Sequence, residues 1–446
     1  MQFLKSHLII LFFSLLQPVS VYAENTLQAP LESTIINDHD TITDDDIEAD
    51  HPEFTTLEEE ILEEEILEVE TPEIETETTV DNKPTDIITG TSRYKLNGDI
   101  RATFTTTDVE LRDGLNDSNK TSGFRLRLRA DWSFTDSIIL GARLAGTCFS
   151  APCNLDFVTT NTPSGINGLK PNEFAFDELY LHWFKNKHAS VAVGRLQTRF
   201  VLRGGVYAKS LDRNNSNNVN INWTNGLQTT FRADNGWDSS FIVEYNDKDG
   251  SGSIRHSNLN FETDSSRQTF FTGFENLENW GYIVQRAVSL SYLPDALLLD
   301  GDTNGRRENY SGIVTRLAAR IPNKTGIRLR LGTEIGFAPT TPTADTLRVD
   351  DTSGLAWNAV ASLIDFQPNH SIGLNYGRTG AGWLLSPQYN PNEELIEVRY
   401  MWRPVGLPLF EARIRRRNEI QQLEGETHKR NGFDIYFRFT WEFSER

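Results

Sequence analysis

Hydrophobic and polar residues alternate strictly along residues 433–443, the last apolar stretch of the chain. The odd positions read Phe, Ile, Phe, Phe, Trp and Phe, whereas the even positions carry Asp, Tyr, Arg, Thr and Glu. Successive side chains of a β-strand point to opposite faces, so this period of two predicts a strand with one apolar and one polar face. Its length of about eleven residues suits either a half-buried strand of a soluble sheet or a tilted strand that crosses a bilayer.

The same alternation recurs from residue 93 onwards and predicts an all-β chain of about sixteen strands. In the clearest of them, Phe124, Leu126 and Leu128 alternate with arginines at the positions between. The predicted strands are 93–104, 124–134, 138–144, 174–184, 188–197, 226–233, 238–246, 267–274, 280–293, 309–321, 326–337, 354–365, 371–378, 393–403, 407–418 and 432–443. Segment 254–261 is an alternative to 267–274.

The connections between the predicted strands alternate in length. Short turns near residues 134, 184, 233, 321, 365 and 403 alternate with long polar segments near 107–120, 148–172, 198–225, 247–266, 294–308, 338–353, 379–392 and 419–431. Bacterial outer-membrane barrels have short periplasmic turns and long outer loops, whereas soluble sandwiches and propellers have no reason to alternate in this way. Six tryptophans beside the short turns or near the C-terminus fit an aromatic girdle at a bilayer interface. They are Trp132, Trp183, Trp237, Trp280, Trp402 and Trp441.

Arginines recur on the polar face of the predicted strands. A wide transmembrane barrel has a water-filled interior that accepts them, whereas a packed soluble core does not. A one-residue shift of the strand register would turn each of them towards lipid. Each arginine that faces lipid near the bilayer midplane destabilises the barrel by roughly 2–4 kcal/mol. The predicted pore-lining residues are Arg101, Arg125, Arg127, Arg129, Arg143, Arg399, Arg413, Arg415, Arg417 and Arg438. Arg195 and Arg286 break the pattern, and a bulge at Gly194 would re-aim the first of these.

The N-terminal residues have a different composition. Lys5 and an apolar run over residues 8–16 predict a secretory signal peptide, residues 1–23. Residues 24–91 hold 23 of the 63 acidic residues and one basic residue, so the net charge of −20 belongs to this segment. We predict a disordered extension there, with a helix over residues 57–70 as an alternative, and a transmembrane barrel over residues 92–446.

Candidate chemistry is sparse in this sequence. Cys148 and Cys153 are the two cysteines, and in an exported chain they predict a small disulfide. Residues 300–305 begin like a calcium loop, although Ser311 stands where a bidentate acid is expected, so a polar turn is the alternative. The weak metal candidates are Asp300, Asp302 and Asn304. Because no hydrolase, metalloprotease or nucleotide-loop motif occurs, we predict no enzyme and no cofactor.

Across residues 92–446 the chain resembles the Gram-negative porins. The closing DIYFRFTWEF resembles their barrel-assembly signal, and residues 177–200 resemble the hairpin before the constriction loop, especially in the phosphate-selective porins. The resemblance implies a sixteen-stranded, trimeric barrel whose third outer loop, here residues 198–225, folds into the lumen. The basic residues of that loop are Arg199, Arg203, Lys209 and Arg213, against Asp212 alone. The three residues after Phe443 and the acidic extension depart from the porin pattern.

Together these features predict a passive outer-membrane channel for small hydrophilic solutes, with a preference for anions. The expected partners are such solutes, outer-membrane lipid and lipopolysaccharide, and two further copies in a homotrimer, with no nucleic acid. Both ends of an even-stranded barrel lie on one side, so we expect the extension in the periplasm. The alternatives are a plugged surface barrel that acts as an adhesin or scaffold, and a substrate-specific transporter coupled to TonB.

Overall fold

The computed structural model describes residues 93–149, 156–157, 172–198, 200–203, 205–206, 210–212, 224–247, 266–298, 307–321, 327–386 and 388–444. Its strands are β1 Tyr94–Glu110, β2 Asn116–Thr135, β3 Ile138–Phe149, β4 Asp156–Phe157, β5 Glu173–Asn186, β6 Ala189–Leu196, β7 Thr224–Arg232, β8 Trp237–Asp247, β9 Ser266–Asn276, β10 Ile283–Leu298, β11 Arg307–Ile321, β12 Arg328–Phe337, β13 Leu355–Gln367, β14 His370–Thr379, β15 Glu393–Trp402, β16 Leu409–Glu419 and β17 Asn431–Ser444. One helical turn, α1 Ala344–Leu347, lies between β12 and β13. In this part of the chain, no helix is long and apolar enough to cross a membrane.

Sixteen of the strands form a closed antiparallel barrel. Each pairs with the next one along the chain, β3 pairs with β5, and β1 closes the ring by pairing with both β2 and β17. The two-residue β4 pairs in parallel with β5 beside the ring. The predicted all-β fold and strand number are therefore confirmed, and 267–274 lies within β9. Its alternative, 254–261, falls outside the described residues.

The first hairpin is longer than the sequence predicts. Residues 107–120 were expected to form a loop, but β1 and β2 stay paired as far as Glu110 and Asn116, so the turn consists of residues 111–115 alone. This expectation was wrong because the sequence pattern predicts a strand only where one of its two faces is apolar. Backbone hydrogen bonds continue the ladder where both faces of the hairpin are polar.

The apolar side chains of the strands face outward and the polar side chains face inward, as the alternation predicts. In β2, Phe124 and Leu128 are exposed on the outside, whereas Arg125 and Arg127 are buried inside the barrel. In β17 the outward Phe437 and the aromatic residues that follow it are exposed in the same way. The outer surface is therefore an apolar belt, as a membrane-spanning barrel requires.

Arg195, one of the two exceptions to the pattern, is oriented by a bulge in the neighbouring strand. The expected bulge at Gly194 is wrong, because the pairing of β6 is continuous through Gly194 on both sides. The irregularity lies across the ladder in β5, at Asp177. The carbonyl oxygen of Phe176, next to this bulge, accepts a hydrogen bond from Arg195 Nη1 at 2.7 Å.

Arg286, the other exception, lies between two tryptophans at the end of β10. Its guanidinium carbon is 5.9 Å from the ring centre of Trp237 and 5.5 Å from that of Trp280. Nη2 donates to Asn276 Oδ1 at 2.6 Å. Cation–π contacts and a polar partner stabilise an arginine at a membrane interface, so its outward direction has a physical reason.

The barrel has a short-turn end and a long-loop end. The short-turn end holds the connections 136–137, 187–188, 233–236, 277–282, 322–327, 368–369 and 403–408, together with both ends of the sheet. The long-loop end holds the connections 111–115, 150–172, 197–223, 248–265, 299–306, 338–354, 380–392 and 420–430. The six tryptophans of the predicted girdle lie at the short-turn end, where Trp132 stacks on Phe134 and Trp402 on His370. Trp357 also faces outward, but it lies near the long-loop end.

Candidate functional site

The polar interior of the barrel is the candidate site, and its first half is the inner face of β1, β2, β3 and β5. Arg125 forms an ion pair with Asp99 at 2.5 Å. Arg143 donates from Nε and Nη2 to both oxygens of Asp177 at 2.9 Å, and Arg127 reaches the same carboxylate at 3.1 Å. The bulge in β5 turns Asp177 inwards, so one buried carboxylate holds two arginines.

The next residue of β5 extends this network towards the short-turn end. Glu178 lies 2.8 Å from Arg143 and 3.1 Å from Arg129. Arg129 also pairs with Asp131 at 3.0 Å and donates to the Tyr180 hydroxyl at 2.7 Å. Two consecutive carboxylates therefore point to the same side of one strand, which only a bulge permits.

The second half of the wall is the inner face of β15, β16 and β17. Glu411 lies 2.6 Å from Arg438 and 3.6 Å from Arg399. Asp434 lies 3.0 Å from Arg413 and 2.5 Å from Arg415. Each of these carboxylates thus bridges two arginines. Two further ion pairs complete this half, Arg399 with Glu397 and Arg417 with Glu393.

All ten arginines that the sequence assigned to the pore lie on the inner face of six consecutive strands around the barrel closure. We call this surface the arginine wall. Eight carboxylates pair with it, namely Asp99, Asp131, Asp177, Glu178, Glu393, Glu397, Glu411 and Asp434. Among the described residues, nine of the ten arginines have an ion pair and Arg101 has none.

Described residues of the third long loop, which joins β6 to β7, lie in the interior. Leu202 and Val206 are buried against Ala318, Val360 and Met401, which lie on β11, β13 and β15. These strands lie on the far side of the ring from β6 and β7, which flank the loop. The described residues of this loop therefore pack inside the barrel against its far side. That the loop forms a constriction stays a prediction.

Further polar contacts fix the course of this loop. The Arg203 amide donates to Gln285 Oε1 at 2.8 Å, and Gln285 Nε2 donates to the Val201 carbonyl oxygen at 2.9 Å. The Ser210 amide donates to Gln388 Oε1 at 2.5 Å. The buried polar groups are hydrogen-bonded at both places, so these contacts fix the position of the described loop residues against Gln285 and Gln388.

Arg316 on β11 holds the tip of the loop. Its guanidinium lies 3.0 Å from Asp212 of the loop and 2.5 Å from Glu334 of β12, and all three side chains are buried. Asn358 Nδ2 donates to the second oxygen of Glu334 at 2.5 Å, and the Leu211 amide donates to that oxygen at 3.2 Å. We call this set the loop anchor. The sequence did not predict it, because ion pairs between residues that are far apart in the sequence leave no local pattern.

A second loop, the seventh long loop at residues 380–392, also packs inside. Trp383 is completely buried against Gly312 and Gly336, at both of which a Cβ atom would collide with its neighbours. The Tyr310 hydroxyl donates to the Gly382 carbonyl oxygen at 2.8 Å and accepts from the Leu384 amide at 2.9 Å. The sequence predicted only a long polar connection here. The apolar run over residues 383–385, Trp-Leu-Leu, was the available signal.

Several sequence-predicted site residues lie outside the described part of the chain. They are Arg199, Lys209, Arg213, Cys153, Asp300, Asp302 and Asn304. Of the predicted loop cations, Arg203 is described, and it lies 3.9 Å from Glu275. Cys148 takes part in a disulfide. Within the described ranges, no group of three or more acidic, histidine or cysteine side chains is placed to hold a metal.

At the long-loop end, three connections are tied together around the rim. Arg112 forms an ion pair with Glu419 at 2.5 Å, Arg348 one with Glu426 at 3.1 Å, and the Asp351 amide donates to the Gln421 side chain. These contacts join residues 111–115 and 338–354 to residues 419–430, and so form one rim beside the arginine wall.

Neither a protein-family model nor a curated protein sequence matches the chain. Solved structures do match it. Pseudomonas putida OprB is 10% identical, with a TM-score of 0.51, over 78% of this chain and 94% of that chain. An anion-selective porin from Comamonas acidovorans is 12% identical, with a TM-score of 0.48, over 78% and 99%. Pseudomonas aeruginosa OccK7 is 12% identical, with a TM-score of 0.45, over 80% and 100%. At 10% identity the likeness to OprB shows the fold alone, a closed antiparallel β-barrel.

Proposed function

We propose that this porin-fold barrel is a passive outer-membrane channel for small hydrophilic solutes, and that it prefers anions. The observation that supports it most is the arginine wall, in which ten guanidinium groups on six consecutive strands face eight carboxylates on the same strands and on β5. A polar interior enclosed by an apolar outer belt fits passage of hydrophilic solutes through the barrel rather than chemistry at a single residue.

Two physical effects would select the solutes. The third long loop crosses the interior and limits the size of a passing molecule, because its apolar residues pack on the far wall. The excess of guanidinium groups gives the passage a positive potential, which raises the local concentration of anions. Neither effect requires bond making, so transport is driven by the concentration gradient alone.

Reversal potentials test the selectivity directly. The full-length protein is refolded from detergent into a planar bilayer with a potassium chloride gradient across it. We expect a reversal potential of the sign that chloride permeation produces, and a smaller value for the Arg127→Gln variant. Clear selectivity for potassium in the wild-type protein would overturn the proposal.

A second candidate function is a plugged barrel that acts as a surface scaffold. The observation in its favour is the apolar packing inside the barrel, where Leu211 of one loop and Trp383 of the other belong to one buried cluster. Conductance separates the two functions. A folded, reconstituted sample that conducts no ions at any voltage would favour the scaffold.

The position of the chain in the cell follows from the strand count. Both ends of the sheet lie at the short-turn end, so the acidic extension would enter the periplasm if the short turns face it. The same reasoning places the long loops near lipopolysaccharide, and a homotrimer is the proposed assembly. Protease admitted to the periplasm should remove the extension, whereas protease outside intact cells should leave it. Cleavage from outside would contradict this orientation.

A further inference from the structure

The net charge of the chain is concentrated in the segment that precedes the barrel. Residues 24–91 contain 23 acidic residues against one basic residue, Lys83, which gives this extension a net charge of −22. Once these residues and Lys5 are set aside, the 43 basic and 63 acidic residues of the chain leave 41 and 40 for residues 92–446. The barrel is therefore almost neutral, and as a whole it does not balance the charge of the extension.

The first residues of β1 fix the place where this charge meets the barrel. The Arg93 carbonyl oxygen accepts a hydrogen bond from the Ser133 amide at 2.9 Å, and Tyr94 pairs with Trp132. Both contacts lie at the short-turn end of the barrel. Because the extension is continuous with Arg93, its junction with the barrel lies at the rim of the lumen, which we call the short-turn mouth.

The length of the extension limits how far its charge can move from this mouth. The acidic composition of residues 24–91 predicts a flexible chain. The root-mean-square span of such a chain is roughly 5–6 Å × √n for n residues, which is about 45 Å for this segment. A covalent tether of that reach keeps the charge concentrated beside one end of the barrel.

The interior next to the short-turn mouth has the opposite sign. Lys95 is exposed near the start of β1 and shares the inward parity of Arg101. On the far side of the ring, Arg320 and Arg330 lie directly across the β11–β12 ladder from each other near the same end. The arginine wall lies further inside. A solute that enters from this side would therefore meet a negative region first and a positive region next.

We propose that the acidic extension is a tethered polyanion that makes the potential at the short-turn mouth negative, so that this mouth attracts cations and repels anions. The partner of the mouth is thus a segment of the same chain, which acts through its charge. Opposite fixed charges in series make ion passage depend on direction, because ions of both signs are drawn into the barrel under one polarity of the voltage and out of it under the other. This effect on transport rests on the proposed function, whereas the potential at the mouth does not.

Charged thiol reagents measure this potential without requiring conduction. The full chain with Lys95→Cys and a protease site inserted after Thr91 is refolded in detergent. The rate constants of an anionic and a cationic methanethiosulfonate reagent are then measured before and after cleavage, with the released extension removed in high salt. Cys148 takes part in a disulfide, so its sulfur does not compete for the reagents. Heat-modifiable migration on a gel verifies that both forms are folded.

We expect the ratio of the anionic to the cationic rate constant to rise by roughly threefold or more on cleavage at low salt. The change should disappear at high salt, because the screening length falls from about 30 Å at 0.01 M to about 3 Å at 1 M. The matched control is Leu115→Cys, since Leu115 is exposed at the long-loop end and lies roughly 50 Å from Lys95 along β1. Replacing the glutamates of residues 57–70 by glutamine should weaken the effect without cleavage.

The outcomes separate this inference from the proposed function. A ratio that cleavage leaves unchanged at low salt overturns the inference, and so does an equal change at Leu115→Cys, because the potential would then not belong to the mouth. In a planar bilayer, the full chain should pass a larger current when the short-turn side is positive, and cleavage from that side should remove the asymmetry. A barrel that conducts nothing, or that selects potassium, contradicts the proposed function instead, and the reagent rates still decide the inference.

Discussion

Replacing Arg316 with methionine should release the tip of the third long loop and increase the conductance of the barrel. Methionine keeps much of the length of the side chain but removes the guanidinium that joins Asp212 to Glu334. In the wild type these contacts measure 3.0 Å and 2.5 Å, and Nη1 also donates to Ser289 Oγ at 2.9 Å. Without them, the buried carboxylates of Asp212 and Glu334 lose the cation that they share.

The magnitude follows from the burial of this anchor. The side chains of Arg316, Asp212 and Glu334 are each at most 1% exposed, so no screening by water softens the loss. Removing one partner of such a buried ion pair costs about 3–5 kcal/mol. If all of this cost falls on the docked loop, the ratio of docked to released molecules drops by roughly two to four orders of magnitude.

Single-channel recordings in a planar bilayer measure the outcome. We expect a larger unitary conductance for Arg316→Met, and liposome swelling should show that larger neutral solutes enter. The control is Arg232→Met, since its exposed pair with Asp238 is worth about 1 kcal/mol or less. A folded Arg316→Met barrel with wild-type conductance and the wild-type size limit would refute the idea that the anchor sets the constriction.

Three further predictions concern the loops and the wall. Gly336→Ala should displace Trp383, because a Cβ atom at residue 336 would lie 2.6 Å from the indole ring. We expect the free energy of unfolding, measured by thermal unfolding, to fall by about 1–3 kcal/mol, and the tryptophan emission to shift to the red. An unchanged melting temperature would contradict this packing. Arg286→Leu should lower the free energy of unfolding, measured with urea in lipid, by about 1 kcal/mol, because its cation–π contacts are lost. A more stable barrel would show that these contacts do not stabilise the fold. Deleting residues 433–446 should abolish heat-modifiable assembly in the outer membrane. A folded product would show that the pairing of β1 with β17 is dispensable.

The barrel could be predicted from the sequence because its information is local. Lipid outside and water inside impose a period of two on every strand, so Phe124 and Arg125 each reveal their side from parity alone. The same rule failed at the first hairpin, where Thr106 and Lys120 pair in the ladder although neither face is apolar. Parity predicts strands only where the two faces meet different surroundings.

The arrangement of the interior could be predicted only in part. The arginines followed from parity, but the inward turn of Asp177 depends on a bulge, which one sequence does not reveal. The loop anchor joins Asp212 to Arg316, 104 residues apart, and no periodicity links such positions. The apolar run around Trp383 was visible in the sequence, yet its burial depends on glycines of β11 and β12 that leave room for the ring.

The pairing of β1 with β17 has a consequence for how the chain reaches its folded state. It joins Asn97 to Ser444 and continues to Glu110 and Asn431, so the first strand receives one of its two neighbours only when the last strand arrives. All other barrel pairings join strands that are neighbours along the chain and need only local loop closure. Until β17 is in place, β1 and β16 present unpaired edges to any other chain nearby. In kinetic terms we therefore expect ring closure to be the final, committing step, so the chain needs protection from aggregation until its C-terminus is available.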